Sequence, residues 1–142
     1  MNYLHDIRDA LAAGGHFQAV EIVIDHSLAV RRAAELAADA EDPATWSCVF
    51  LAETEESLQH DITVDVIIAV SALDDAGGAA ARERQKAARA AVRTAVHFQD
   101  FGAPDDYFEP AHYVGGHLMG LDGNGIAFWN EQYQLKSYYR ED

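Results

Sequence analysis

The chain has one cysteine, Cys48, and three prolines among 142 residues. A single cysteine excludes an internal disulfide, and its place in the apolar run WSCVFLA suits a small buried hydrophobe better than a reactive thiolate. Positive charge is scarce as well. Ten Lys and Arg stand against 24 Asp and Glu, a net charge of −14. That sign disfavours phosphate-backbone binding, which depends on basic side chains releasing counterions. No apolar run approaches the roughly 18 to 20 residues of a membrane span. Asp6, Arg8 and Asp9 interrupt the opening helix where a secretory hydrophobic region would lie, so synthesis in the cytoplasm is expected. The chain has neither a glycine-rich phosphate cradle with its lysine nor a GxSxG elbow.

What remains is ordinary globular material. With 49% hydrophobic and 24% charged residues the chain has enough apolar surface to fold, and its length suits one domain over residues 1–142. The charge is segregated. Residues 79–97 hold Arg82, Arg84, Lys86, Arg89 and Arg93 against one acid, Glu83. That segment therefore carries +4 and leaves −18 on the rest. A basic ridge on an acidic body suits contact between copies of the chain, or with an acidic partner.

Periodicity supplies the elements. Tyr3, Leu4, Ile7 and Leu11 recur at helical spacing until Gly14-Gly15. AVEIVID (19–25) alternates as a short strand, and Ser27 is placed to cap a helix reaching about Ala40. WSCVFLA (46–52) reads as a buried strand. ITVDVIIAVS (62–71), with Ile62, Val64, Val66, Ile68 and Val70 on one face, is the clearest strand of all. The two form a hairpin around an acidic loop spanning Glu53 to Asp61. A helix follows over 79–97, then an irregular loop over 99–110. In the last third, two aromatic-rich runs flank Asp122-Gly123-Asn124-Gly125, where Gly and Asn supply the positive φ of a tight hairpin. The order predicts an α+β fold, a mostly antiparallel sheet of four to five strands with two or three helices on one face.

Candidate chemical sites are thin. His112 and His117, five apart on a strand, are expected to point to opposite faces unless Gly115-Gly116 inserts a bulge. Asp122-Gly-Asn124 begins like a calcium loop, but Ile126 and Tyr133 stand where the fifth and twelfth positions need oxygen ligands. Acid pairs such as Glu55-Glu56 and Asp105-Asp106 fall in loops, where solvated carboxylates are the default. No catalytic residue, no metal and no cofactor is expected. Phe128 beside Trp129 puts a large ring on each face of the last strand, and one face needs cover from elsewhere.

Three stretches together resemble the tail terminator proteins of long-tailed bacteriophages and the related minor tail proteins of prophages. They are PATWSCVFLAETEES with ITVDVIIAVSALDDAGGAAA, the Ala/Arg-rich helix ending AAVRTAVHF, and the hairpin YVGGHLMGLDGNGIAFWNEQYQLKSYY. The likeness covers residues 44–140 and rests on pattern and element order, with no diagnostic motif. Residues 16–42 depart from it, being longer than that pattern requires. The resemblance implies a virion protein at the head-proximal end of the tail: a ring, usually a hexamer, seated on the tail tube. Such a ring stops polymerisation of the tube protein and offers a joining surface to the head–tail connector. DNA passes through its lumen without sequence-specific binding, and no membrane is involved. Six copies at −14 each carry −84, which keeps a passing duplex from sticking.

On this reading Arg82, Arg89, Arg93, Trp129 and Tyr133 form the oligomer interface. Glu53, Glu55, Glu56 and Asp61 form a lumen or tube-contact loop. Two other readings compete: a small acidic inhibitor or immunity-type protein that binds a basic partner, and a pocketed α+β enzyme or ligand-binding domain. A ring-sized mass, a stable monomer with one basic ligand, or a pocket with shifted pKa values would separate the three.

Overall fold

The computed structural model describes residues 3–40, 46–56, 61–71, 79–99, 107–121 and 125–137. Its elements run α1 (Tyr3–Ala13), β1 (Ala19–Ile22), α2 (His26–Ala38), β2 (Ser47–Glu56), β3 (Asp61–Ser71), α3 (Ala79–Val96), β4 (Tyr107–Leu121) and β5 (Ile126–Ser137). The five strands form one sheet in the order β1-β2-β3-β5-β4. Only the β1–β2 pair is parallel; the other three pairs are antiparallel. The α+β expectation holds.

Connectivity decides which faces the helices cover. Parallel neighbours cannot be joined by a tight turn, so the β1-to-β2 link must cross a face of the sheet, and α2 is that crossover. β3 and β4 run parallel with β5 inserted between them, so α3 crosses the sheet too. The period-2 alternation of the strands then builds two cores. On one face Val49, Leu51, Val64, Val66, Ile68 and Val70 meet α1 through Leu4, Ile7 and Leu11, and α3 through Ala88, Val92 and Val96. On the other, Phe50, Ile67, Ala69 and Phe128 meet Ala29 and Ala33 of α2. Two helices share one face as expected, and α2 covers the second. The cover that one face of the last strand was expected to need from elsewhere is therefore internal, and it comes from α2, which lies within the stretch that departs from the resemblance.

Several boundaries differ from the sequence expectation for identifiable reasons. Asp25, not Ser27, caps α2: its backbone is extended and its Oδ1 accepts from Leu28 N at 2.8 Å. Of the acidic loop expected over 53–61, Glu53 to Glu56 and Asp61 are strand, because pairing continues through Glu55↔Thr63 and Glu56↔Ile62 after a bulge; 57–60 lie outside the described residues. β4 begins at Tyr107, inside the expected loop over 99–110. Helix α3 ends at Val96, and Phe98, two residues on, sits at φ 59° and is 70% exposed. A left-handed residue at this place is normally glycine. Phe98 holds it through its N–H, which donates to Ala111 O at 2.6 Å, and its ring lies 3.9 Å from that of His97. The Asp122–Asn124 turn lies outside the described residues, but Gly125 has φ 75° and Leu121 pairs with Ala127, as a hairpin closing there requires.

Candidate functional site

The side of α3 that flanks its apolar stripe lies over β5. Arg89 and Arg93 are one helical turn apart and project onto the same strand. Between Trp129 and Tyr133 on that strand stands Glu131, which is fully buried. Arg89 Nε donates to Glu131 Oε2 at 3.1 Å, and Arg93 Nη2 reaches the same oxygen at 3.4 Å. Tyr133 donates its hydroxyl to Oε1 at 3.2 Å. Each guanidinium also covers a ring: Arg89 lies 4.0 Å from the Trp129 centroid, and Arg93 4.4 Å from that of Tyr113. Tyr113 and Tyr133 meet edge to face at 5.7 Å.

The electrostatics follow from burial. A carboxylate without solvent is tolerable only where its lone pairs are taken, and here two cations and a hydroxyl take them. Burial pushes the Tyr133 hydroxyl well above the usual phenol range, and the Glu131 charge adds to the shift. Burial works against the charged form of Arg93, but Glu131 together with the Tyr113 and Tyr133 hydroxyls outweighs it and the guanidinium is held more firmly protonated. Gly116, opposite Glu131 on β4, makes room for the layer. A Cβ there would stand 2.9 Å from the Tyr113 hydroxyl, 3.1 Å from Trp129 Nε1 and 3.1 Å from Asn130 O.

Outside this layer lies an open cleft of about 290 Å³, lined by Arg82, Gln85, Lys86, Arg89 and Trp129. Arg82 is exposed and makes no ion pair among the described residues. Lys86 reaches only Glu83, at 3.8 Å, with both side chains about three-quarters exposed.

A second carboxylate is buried on the opposite face. Asp65 in β3 is 1% exposed and takes His26 Nε2 at 2.8 Å, Gln132 Nε2 at 2.9 Å and Asn130 Nδ2 at 3.3 Å. This ties the start of α2 to the sheet. Arg32, bonded to Glu21 at 2.8 and 3.1 Å, ties its middle to β1.

The structure thus sorts the expected interface residues into three kinds. Arg82 and Trp129 line the cleft. Arg89 and Arg93 bind their own subunit's Glu131, and Arg89 also lines the cleft. Tyr133 is fully buried in the core, which corrects its assignment to a surface: its position on β5 points it under α3. Glu53, Glu55, Glu56 and Asp61 stand at the ends of paired β2 and β3, and their side chains lie outside what the structure describes. For the histidines, the bulge that Gly115-Gly116 allows is present. A register shift between Tyr113 and Gly115 puts His112 opposite Gln134 and His117 opposite Asn130, hence on the same side of the sheet. Four residues of strand still separate them by about 14 Å, too far for one ion. Among the described residues no group of three or more His, Cys, Asp or Glu is placed to hold a metal. The Cys48 thiol is buried and pushed up to about 11, mainly by desolvation, so it is protonated at neutral pH.

Sequence reasoning missed both buried carboxylates. The signal was clear for Glu131, which stands in phase with Trp129, Tyr133 and Leu135, and fainter for Asp65, which shares its face with the apolar Ile67 and Ala69.

No protein-family model matches the chain, and no curated protein matches it. Among solved structures, a chain of the virion of a native gene transfer agent particle is similar in fold. Its TM-score is 0.47 at 16% identity, with 94% of this chain and 90% of that chain covered.

Proposed function

We propose that this chain is a structural protein of a phage-type tail, not an enzyme. It works as a closed ring of six subunits on the head-proximal end of the tail tube, where it ends tube polymerisation and presents the joining surface for the head connector. DNA passes through the lumen without being read. The observation that carries the reading is the α3–β5 face. A basic helix is held rigidly over the sheet by the buried Glu131, and a half-buried tryptophan and the exposed cations Arg82 and Lys86 are presented outward, on a chain whose remainder is strongly acidic. A closed ring needs one surface of each subunit to meet a different surface of the next, and segregated charge of opposite sign supplies that complementarity. The element order and aromatic hairpin that carry the sequence resemblance agree with the same role.

Deletion of the gene tests it. Particles made without the protein are expected to show tubes of uncontrolled length and tail-less filled heads, restored by the protein supplied in trans. Normal tube lengths with joined heads in the deletion would refute the role.

A further inference from the structure

The cleft on α3 has a composition that selects its occupant. Arg82, Lys86 and Arg89 all donate, and Trp129 supplies an apolar wall beneath them. Gln85, 8% exposed, lines the same cleft, and its Nε2 has no partner among the described residues. Around the cleft the charges of Arg82, Lys86, Arg89 and Arg93 exceed those of Glu83 and Glu131 by two. Glu131 is already shared between two arginines, Lys86 has only the long, exposed contact to Glu83, and Arg82 makes no ion pair among the described residues. A site made of donors and a ring takes carboxylates.

The chain's own acidic sheet end cannot fill it. Trp129 stands opposite Ile68 on β3, whereas Glu56 stands opposite Ile62. Six residues of strand separate those levels, about 20 Å. The cleft and the Glu53–Asp61 end of the β2–β3 hairpin therefore lie toward opposite ends of one sheet. That is the layout of a contact repeating head to tail between copies.

We propose that the Arg82–Lys86–Arg89–Trp129 cleft receives the carboxylates of Glu55 and Glu56 from a second copy of this chain. The inference rests on the ring reading and names its subunit contact. Complementarity of this kind fixes register and partner more than it adds affinity, so the pairing is weak in free protein and strengthened when the ring closes.

The test is a disulfide trap in the full-length protein. Subunits carrying Lys86→Cys and subunits carrying Glu56→Cys, mixed at high concentration under mild oxidation, are expected to form covalent pairs. Their yield should exceed that of a control pair, Arg8→Cys with Glu56→Cys, by about tenfold, the ratio given by a 1.4 kcal/mol preference. Adding Arg82→Glu to the first partner should abolish the excess, and reversing Glu55→Lys on the second should do the same. Circular dichroism of each variant confirms folding before mixing. Yields no higher than the control overturn the proposal. So does inorganic phosphate that shifts the Trp129 indole resonance at low millimolar concentration and leaves cross-linking absent, which would make the cleft a phosphate site. A ring present in particles but without the cross-link sinks this contact alone. The cross-link with a single copy per particle sinks the ring reading alone.

Discussion

Replacing Glu131 with alanine removes the group that Arg89, Arg93 and Tyr133 converge on. Breaking one side of a fully buried ion pair costs about 3–5 kcal/mol. Here Arg89 and Arg93 are 28% and 42% exposed and swing partly into water, which reduces the loss. The Tyr133 hydroxyl has no such escape, and an unmet buried hydroxyl costs about 1–3 kcal/mol. The sum for Glu131→Ala is about 3 kcal/mol, a large share of the roughly 5–15 kcal/mol that holds a domain together. With a urea slope of about 1.5 kcal/mol/M, the unfolding midpoint falls by about 2 M. Glu131→Gln keeps an acceptor for Tyr133 and loses only the charge, so its midpoint should fall by about half as much. The assay is urea unfolding followed by far-UV circular dichroism and Trp fluorescence together. A double-mutant cycle with Arg89→Met should show coupling of at least about 1 kcal/mol. A loss below about 0.5 kcal/mol for Glu131→Ala, the range of ordinary surface changes, would refute the layer as a structural clamp.

Gly116→Ala should cost about 1–3 kcal/mol, read as a lower unfolding midpoint and a reduced near-UV signal, because its Cβ meets two rings and a backbone carbonyl. Stability should decline at alkaline pH. Cys48 keeps its proton in the fold up to about 11 against an ordinary 9.0, so its contribution is whole below pH 9 and disappears as pH climbs to about 11. Cys48→Ala should flatten that decline by up to about 2–3 kcal/mol, measured by urea titrations at pH 8 and 11. Asp65→Ala should loosen α2, with a loss of about 2 kcal/mol and faster hydrogen exchange over Asp25–Ala38 than over α3. Phe98→Gly relieves a left-handed backbone and should leave the free subunit as stable or up to about 1 kcal/mol more so by thermal melt; a marked loss would mean that the ring packs more tightly than its exposure indicates.

The long strands were legible in the sequence because their alternation is strict. Val64, Val66, Ile68 and Val70 all reached one core, and the alternate Ile67 and Ala69 reached the other. That second apolar set marks a strand covered on both faces, whereas the helices were expected on one face only. The placement of α2 follows from the parallel β1–β2 pair, which no local pattern reveals. The bulge at Gly115 that realigned His117 was allowed for by Gly115-Gly116, but only strand pairing decides whether such a pair bulges. The basic helix was legible as charge, but not its orientation. Arg89 and Arg93 were expected at an oligomer interface, but both bind the buried Glu131 beneath them. Reversing Arg82, Arg89 and Arg93 together would therefore break the fold along with any contact. Arg82 and Lys86 are the positions where charge can be reversed with the fold intact.

The central claim is decided by where the protein sits in an assembled particle. An electron-microscopy map of complete virions should place six copies in a closed ring between the tail tube and the head connector, with α3 of each copy facing the acidic sheet end of the next. A single copy, or a position on the capsid surface away from the tail axis, would contradict the account.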